Sequence, residues 1–233
     1  MMICIPICAR TNEAALAQME KSALLADILE LRIDQIRDVD LEQLMNGKRT
    51  KILVTNRGGG EGGAFPGTER ERIELLKDAV ALGADYVDIE AGTEKNLLRE
   101  LVAQIEKYHA RTKWIISSHD FNGTPAEKAL RKKFDRCSRT GADIVKIVTL
   151  AQTMEDNLRV LRLIPYARTK DQDIIALCMG EKGRISRVMA PLLGSSWSYA
   201  SLEKGGGSAP GQLTIEEMKQ IQKIFGAAGA EEH

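Results

Sequence analysis

Short apolar segments alternate along the chain with longer segments in which apolar and charged residues follow a helical spacing. The short segments are rich in Ile, Val and Leu, and their central residues are mostly apolar, as in parallel strands covered on both faces. The pattern occurs eight times, at residues 3–9, 27–33, 51–56, 86–91, 113–118, 144–149, 174–179 and, more weakly, 196–201. Eight alternating strand and helix segments predict a single (β/α)8 barrel that spans residues 1–233, close to the roughly 250 residues typical of this fold.

Local signals mark where the predicted helices begin and end. Four threonines each precede acidic residues and are predicted to cap a helix N-terminus: Thr11, Thr68, Thr124 and Thr214. Gly83 and Gly141 are each followed by Ala-Asp and then by a predicted strand. A glycine just after a helix commonly adopts the left-handed conformation that ends it, so both are predicted C-caps.

Composition and charge exclude several classes of protein. Hydrophobic residues make up 43% and charged residues 28% of the chain, which is compatible with a substantial core and argues against disorder. There are 33 Lys plus Arg and 33 Asp plus Glu, so no global field favours nucleic acid or an anionic membrane. No apolar run approaches the roughly 20 residues of a membrane span, and no secretory signal is recognisable. We therefore expect a cytoplasmic protein.

The four cysteines show no disulfide or metal pattern. Cys4 and Cys8 lie in one predicted strand, which places them about 13 Å apart, beyond disulfide reach. Cys137 and Cys178 show no metal-ligand spacing. We expect buried free thiols in a reducing compartment.

Lys146 interrupts the run Ile144-Val145-Lys146-Ile147-Val148, which otherwise indicates a buried parallel strand. One explanation is a lysine near a strand end whose ammonium extends to solvent. The other is an amine whose pKa is lowered by burial and cationic neighbours, so that it attacks a carbonyl carbon. We favour the second, which makes Lys146 a candidate nucleophile.

His119 is the best candidate for a general base near neutral pH. The other two histidines are His233, the last residue, and His109, on a predicted solvated helix. His119 follows the predicted strand 113–118, and the catalytic groups of barrel enzymes lie where strands end. A capping or hydrogen-bonded structural histidine is the alternative.

Further charged residues occupy comparable strand ends: Glu30, Arg32, Arg57, Asp88 and Glu90. Glu30 and Arg32 are two residues apart, as are Asp88 and Glu90, so each pair should point into the barrel while the apolar residue between them faces the helices. Such pairs suit a polyhydroxylated, charged substrate. The alternative is an interior salt-bridge network that only holds strands together.

Two features near the C-terminal end suggest an anion site. Arg187 lies at the predicted start of a helix, and its planar guanidinium suits a carboxylate, although an ordinary surface arginine is the alternative. Residues 203–212 contain three consecutive glycines and a proline. They are compatible with a closing lid, or with a loop that cradles phosphate, and composition does not separate the two.

Together these residues resemble the type I 3-dehydroquinate dehydratases, from Glu30 to Gln212. The motifs are Glu30-Leu31-Arg32-Ile33-Asp34, Arg57 with Glu61, Ser117-Ser118-His119-Asp120-Phe121, Asp143-Ile144-Val145-Lys146-Ile147, Ile185-Ser186-Arg187, and Ser208-Ala209-Pro210-Gly211-Gln212. Two features depart from the family. Many relatives have methionine at alternate positions of strand seven, whereas here the segment is Leu177-Cys178-Met179, and the connection from Arg32 to Arg57 is short.

The resemblance implies a cytoplasmic homodimer that converts 3-dehydroquinate to 3-dehydroshikimate and water, without metal or cofactor. It implies that Lys146 forms an imine with the ring ketone and that His119 shuttles protons while Glu61 holds it in place. The substrate-binding residues that it implies are Glu30, Arg32 and Arg57 for ring hydroxyls or for orienting one another, and Arg187, Ser208 and Gln212 for the carboxylate.

Two other functions compete with this hypothesis. A Schiff-base aldolase would use the same lysine but would need a phosphate site near residues 180–212. A noncatalytic metabolite-binding barrel would not be expected to place an inward lysine beside a strand-end histidine. The roles of Asp88 and Glu90 stay open at this level.

Overall fold

A computed structural model describes residues 1–108 and 112–227, so His109 and His233 lie outside the described residues. The strands are β1 (Ile3–Ile7), β2 (Ile28–Arg32), β3 (Lys51–Thr55), β4 (Tyr86–Glu90), β5 (Lys113–Asp120), β6 (Ile144–Leu150), β7 (Asp173–Met179), β8 (Ser198–Ser201) and β9 (Leu213–Thr214). The first eight confirm the predicted strands, with ends that differ by up to two residues. The two-residue strand β9 follows a glycine-rich loop and was not predicted, because it has no apolar run.

The helices are α1 (Asn12–Ser22), α2 (Leu41–Asn46), α3 (Glu69–Ala81), α4 (Lys95–Lys107), α5 (Glu127–Ser138), α6 (Glu155–Leu161), α7 (Leu163–Arg168), α8 (Arg184–Leu193) and α9 (Ile215–Ala227). The connection between β6 and β7 contains two short helices rather than one. The connection between Arg32 and Arg57, which the sequence indicates to be short, contains a 3-10 turn and the six-residue α2 before β3. Arg187 lies in the first turn of α8, as predicted.

The strands form one parallel sheet in the order β7-β6-β5-β4-β3-β2-β1-β8-β9. This sequential order, with helices between strands, confirms the predicted TIM-barrel architecture. The described residues contain no ladder between β7 and β8. The seam instead carries backbone hydrogen bonds from Ser196 to Ile174 (2.8 Å) and from Gly180 to Pro210 (3.0 Å). The chain after β8 therefore joins the end of β7 and lies across the barrel mouth.

The two Gly-Ala-Asp sequences connect a helix end to the next pair of strands. Gly83 and Gly141 have φ of 82° and 85°, which confirms them as left-handed C-caps. The following aspartates accept backbone hydrogen bonds at the start of the preceding strand, from Ile52 to Asp85 (2.8 Å) and from Trp114 to Asp143 (2.9 Å). Asp27 does the same for Ile3 at 2.8 Å. These contacts fix strand register at the end of the barrel opposite the site.

Three of the four predicted threonine caps are present. Thr11 and Thr214 each accept a backbone N–H of the first helical turn, and Thr68 forms a full capping box with Glu71. The prediction for Thr124 was wrong. Its hydroxyl donates to the Leu150 carbonyl at 2.9 Å, because the neighbouring strand offers an acceptor, and α5 begins without a side-chain cap.

Apolar side chains of the strands pack beneath the helices and form the core. All four cysteines are free thiols, and three of them, Cys4, Cys137 and Cys178, are buried. Over residues 1–108 and 112–227, no cluster of three or more His, Cys, Asp or Glu side chains could hold a metal ion. Within the same ranges, no helix is long and apolar enough to span a membrane. The cytoplasmic location stays a prediction.

Candidate active site

The carboxyl ends of the strands surround an open pocket. The structure brings all nine candidate residues from the sequence to its wall: Glu30, Arg32, Arg57, Glu61, His119, Lys146, Arg187, Ser208 and Gln212. Val148, Leu177 and Met179 add an apolar side. The mixture suits a small ligand that has both a polar rim and a hydrocarbon ring.

Lys146 points into the barrel from the middle of β6 and is only 4% exposed. Its Nζ donates to Asp88 Oδ2 at 3.0 Å and lies 3.6 Å from Glu30 Oε1. The ammonium also lies 4.7 Å from the centre of the Tyr199 ring, within the range of a cation–π contact. The alternative of a lysine extending to solvent is therefore excluded.

The charge state of Lys146 differs from the expectation. Burial lowers its pKa, but the carboxylates of Asp88 and Glu30, together with the nearby Tyr199 oxygen, outweigh that effect, so the net pKa is raised above its ordinary value. Arg57 opposes the rise only weakly. The prediction of a lowered pKa was wrong, because the sequence did not reveal that a buried carboxylate pairs with this amine.

Asp88 is that carboxylate, and it also binds a second cation. Its Oδ1 lies 2.9 Å from Arg57 Nη2 and accepts the Ser117 hydroxyl at 2.6 Å, while Oδ2 holds Lys146. The residue is 1% exposed. Burial would raise its pKa, but Arg57 and Lys146 together hold the pKa well below the usual range. Asp88 is therefore a fixed anion at neutral pH.

His119 and Glu61 form a hydrogen-bonded pair at the pocket wall. Glu61 Oε2 accepts the His119 backbone N–H at 2.9 Å and lies 2.9 Å from His119 Nδ1. Because this oxygen already accepts one N–H, we assign the ring proton to Nδ1, which leaves the lone pair of Nε2 unused by this contact. The pair fixes one tautomer of the imidazole.

The pKa values of this pair favour a neutral imidazole. Burial, together with the positive charges of Arg57 and Lys146, lowers the pKa of His119 well below its ordinary value. Burial also raises the pKa of Glu61 to about 7, although Arg57 opposes the rise. His119 is therefore an available base at neutral pH rather than an imidazolium.

The glycine-rich loop after β3 positions Glu61. A Cβ on Gly63 would lie 1.9 Å from the Arg57 carbonyl oxygen, so the loop can fold back on Arg57 only with glycine there. Gly62 lies against the Phe121 ring, where a Cβ would be 2.6 Å from its nearest carbon. The Phe121 ring in turn stacks 6.5 Å from that of His119. The loop is therefore fixed against the end of β5.

Glu30 and Arg32 face the pocket from β2, as their spacing predicts. Arg32 donates from Nε and Nη2 to both oxygens of Asp34, each at 2.8 Å, so its guanidinium is held in one orientation. Glu30 accepts the Thr55 hydroxyl at 2.8 Å. Both side chains are preorganised, and each retains polar atoms toward the pocket.

Glu90 does not reach the pocket, although it shares its face of β4 with Asp88. Its Oε1 accepts the Gly58 backbone N–H at 2.8 Å and lies 3.5 Å from Arg57 Nη1. Its other oxygen pairs with Arg72. Glu90 therefore belongs to an interior salt-bridge network, which was the alternative for these strand-end charges. Asp88 instead contacts the candidate nucleophile Lys146.

Arg187 is buried without a counterion among the residues that the structure describes. It is 2% exposed, and Nη2 lies 3.4 Å from the Pro210 carbonyl, while Nε has no hydrogen-bond partner there. Burial lowers its pKa to about 10, and the weak opposing effects come from Cys178 and Tyr199. A buried guanidinium that lacks a carboxylate provides a binding site for an anion from outside.

Ser208 and Gln212 lie on the same side of the pocket. Gln212 Oε1 accepts the Ser208 backbone N–H at 3.1 Å, and Gln212 Nε2 lies 3.2 Å from the Ser208 hydroxyl. Gly211 (φ 79°) makes this turn possible, since a Cβ there would lie 2.2 Å from the Gly180 carbonyl oxygen. The segment presents an amide and a hydroxyl next to Arg187.

Sequence reasoning missed Tyr199 and gave no role to Phe121. Tyr199 lies on β8, its ring contacts Lys146, and its buried hydroxyl has no partner among the described residues. The apolar pattern of the eighth predicted strand is weak, so the sequence did not indicate that Tyr199 faces the barrel interior. Leu177 and Met179 both line the pocket, so the departure from methionine replaces one apolar side chain with another.

Comparison with known proteins gives a consistent result. A family model described as Type I 3-dehydroquinase matches residues 3–228. The 3-dehydroquinate dehydratase of Methanocaldococcus jannaschii is 38% identical over 224 residues, which cover 96% of this chain and 99% of that protein. The crystal structure of the Geobacillus kaustophilus 3-dehydroquinate dehydratase superposes with a TM-score of 0.90 at 28% identity, covering 97% of this chain and 91% of that one. The Clostridium difficile type I enzyme, whose crystal contains covalently modified comenic acid, gives a TM-score of 0.87 at 25% identity, covering 97% and 92%.

Proposed function

The chain belongs to the type I 3-dehydroquinase family, and on that premise we propose that it dehydrates 3-dehydroquinate through an imine on Lys146. The observation that carries the proposal is an inward amine on β6 in the same pocket as a histidine that Glu61 orients. The covalently modified ligand in the Clostridium difficile relative is consistent with covalent chemistry in this fold.

The reaction follows from these groups. The neutral Lys146 amine attacks the ring ketone carbon, and the carbinolamine loses water to give a protonated imine. His119 removes a proton from the adjacent carbon, and the electron pair of that C–H bond passes into the imine to form an enamine. The enamine expels the C1 hydroxyl, which takes the proton back from His119 and leaves as water. Hydrolysis of the imine then frees 3-dehydroshikimate and the lysine.

The raised pKa of Lys146 makes the first proton transfer a distinct step. In the free protein the amine is an ammonium paired with Asp88, and an ammonium does not attack carbonyls. Asp88 stays ionised as the counterion of Lys146, since its own pKa is held well below the usual range. We propose that the neutral His119 relays the proton from Lys146 to the departing carbinolamine hydroxyl, which leaves as water, and that His119 is neutral again before it acts on the substrate carbon.

The substrate carboxylate would bind at Arg187, Ser208 and Gln212. A carboxylate satisfies the unpaired guanidinium bidentately and leaves the hydroxyl and amide to complete its shell. The short polar segment at 208–212 serves this role better than it serves the phosphate of an aldolase substrate, because its backbone N–H at Ser208 is already used by Gln212.

Glu30, Arg32 and Arg57 would bind the ring hydroxyls, since all three line the pocket with their charges held by neighbours. The protonated imine is itself the electron sink for the adjacent carbanion, so the proposed reaction requires no metal or cofactor.

Borohydride reduction tests the imine directly. Sodium borohydride added during turnover should attach the ligand irreversibly to a peptide that contains Lys146, detected by mass spectrometry. Lys146→Met should abolish the attachment and nearly all dehydration, since loss of a covalent nucleophile should cost at least the roughly 100- to 10,000-fold of a lost general base. The matched control is Lys182→Met, which removes an exposed lysine that donates to the Gln152 carbonyl. This variant should still attach the ligand to Lys146 as the wild type does.

A label on another lysine, or ordinary turnover by Lys146→Met, would show that the imine assignment is wrong. His119→Gln should behave differently from Lys146→Met. It keeps the nucleophile, so slow trapping should survive while dehydration is nearly lost.

Removal of the guanidinium tests the carboxylate site. Arg187→Gln should raise KM by about 10- to 100-fold, because one charge-assisted hydrogen-bonded contact is lost. Arg184→Gln, on the same helix but paired with Glu181 at the surface, should leave KM unchanged. Steady-state absorbance of the conjugated enone product measures both, and an unchanged KM in Arg187→Gln would remove this residue from substrate binding.

We also propose a homodimer, which the resemblance implies. Leu158 on α6, Ile185 and Leu193 on α8, and Met154 just before α6 are exposed together along one groove. A second copy would cover this groove. Sedimentation at micromolar concentration should give about twice the 25.7 kDa chain mass, with Leu158→Glu shifting it to one chain. A wild-type monomer would contradict the proposal.

A further inference from the structure

Arg72 is a buried cation that lies outside the pocket, in the first turns of α3. It is 2% exposed, and Nη1 donates to the Asn56 carbonyl at 2.8 Å. Nε and Nη2 hold Glu69 at 2.9 and 2.8 Å, and Nη2 also donates to the Thr93 hydroxyl at 2.9 Å. The family resemblance assigns it no role.

Arg72 is one end of a line of alternating charges that leads to the nucleophile. Arg72 pairs with Glu90, and Glu90 Oε1 lies 3.5 Å from Arg57 Nη1. Arg57 Nη2 lies 2.9 Å from Asp88 Oδ1, and Asp88 Oδ2 lies 3.0 Å from Lys146 Nζ. Every charge in this line is buried, so each interaction is screened much less than at a surface.

The line gives Arg57 two competing anions. Asp88 binds it at 2.9 Å, whereas Glu90 stays at 3.5 Å, because Glu90 is already occupied by Arg72 and by the Gly58 backbone N–H. Without Arg72, Glu90 would carry an uncompensated buried charge and would attract the Arg57 guanidinium. Asp88 and Glu61 would then lose part of the positive field that Arg57 supplies.

We propose that Arg72 is a positioning residue that neutralises Glu90, so that the Arg57 guanidinium stays on Asp88. The proposal deepens the proposed imine chemistry and rests on it for its kinetic consequence. Its electrostatic consequence can be measured in the free protein without substrate, so the two can fail separately.

The direction of the effect follows from the groups that face His119. Arg57, Lys146 and Arg32 lower its pKa, Asp88 raises it, and Glu61 is its hydrogen-bond partner. Neutralising Arg57 more fully with Glu90 weakens the strongest of these lowering charges. Loss of Arg72 should therefore raise the pKa of His119, and also that of Glu61, which Arg57 lowers and Glu90 raises.

The titration of His119 tests the proposal in the ligand-free full chain. Its NMR signal is identified by its absence from His119→Gln. In Arg72→Gln the midpoint should rise by about half a pH unit or more, as expected when a nearby buried charge is lost. Arg72→Lys restores the charge and should return most of the shift. Arg70→Gln removes an exposed neighbour that pairs with Glu100 and should change nothing.

Two further variants keep the test decisive if Arg72→Gln does not fold. Glu90→Gln leaves Arg72 uncompensated and should lower the midpoint, and the double variant with Arg72→Gln should return it close to the wild-type value. A double variant that keeps the shift of either single one, or a midpoint that no variant moves, would overturn the compensating role of Arg72.

Kinetics separate positioning from substrate binding. Arg72 does not line the pocket, so Arg72→Gln should lower kcat while KM changes less than twofold. The acidic limb of the pH profile of kcat/KM, which reports the free protein, should move to higher pH together with the NMR midpoint of His119. A raised KM with kcat and the acidic limb unchanged would contradict the proposal. If wild-type trapping at Lys146 fails but the NMR shifts appear, the imine chemistry is wrong and the electrostatic role of Arg72 stands.

Discussion

Asp88 lies in the barrel interior, shielded from water, and holds two cations: Lys146 from β6 on one side and Arg57 from the loop after β3 on the other. An isolated carboxylate in this position would be strongly destabilised and would take up a proton. The two cations keep it ionised, and it in turn keeps Lys146 charged and in place. Removal of any one of the three would break a buried charge pair, which typically costs several kcal/mol.

The charges around Asp88 also give His119 and Lys146 different protonation states. Positive charge around His119 holds the imidazole neutral, while the buried anion beneath Lys146 holds the amine protonated. The base is therefore already in its reactive form, and the nucleophile is one proton transfer away from its own. Arg32, Arg57 and Lys146 each pair with a buried carboxylate. Among the described cations of the site, Arg187 alone has no anionic partner. That difference marks Arg187 as the place where a substrate charge is needed.

The fold was predictable from sequence because parallel strands buried on both faces leave continuous apolar runs, and because Gly83 and Gly141 end their helices in a recognisable way. The candidate site was predictable where a polar or charged residue interrupts or follows an apolar run, as Lys146 and His119 do. What could not be predicted is which charges pair. Strand spacing placed Asp88 and Glu90 on one face, but only the close approach of α3 shows that Arg72 takes Glu90 and leaves Asp88 to the nucleophile. For the same reason the direction of the Lys146 pKa shift was wrong, since the lysine's environment depends on a contact across 58 residues of chain.

The protonation state of Lys146 in the ligand-free protein tests this account most directly. Isotope-labelled lysine NMR, with the signal identified by its absence from Lys146→Met, reports the titration of Nζ. The account predicts that Lys146 is an ammonium throughout the neutral range and titrates above the ordinary value of about 10.4, and that Asp88→Asn lowers its midpoint. A wild-type Lys146 that is already a neutral amine near pH 8, or one whose titration does not respond to Asp88→Asn, would contradict the account.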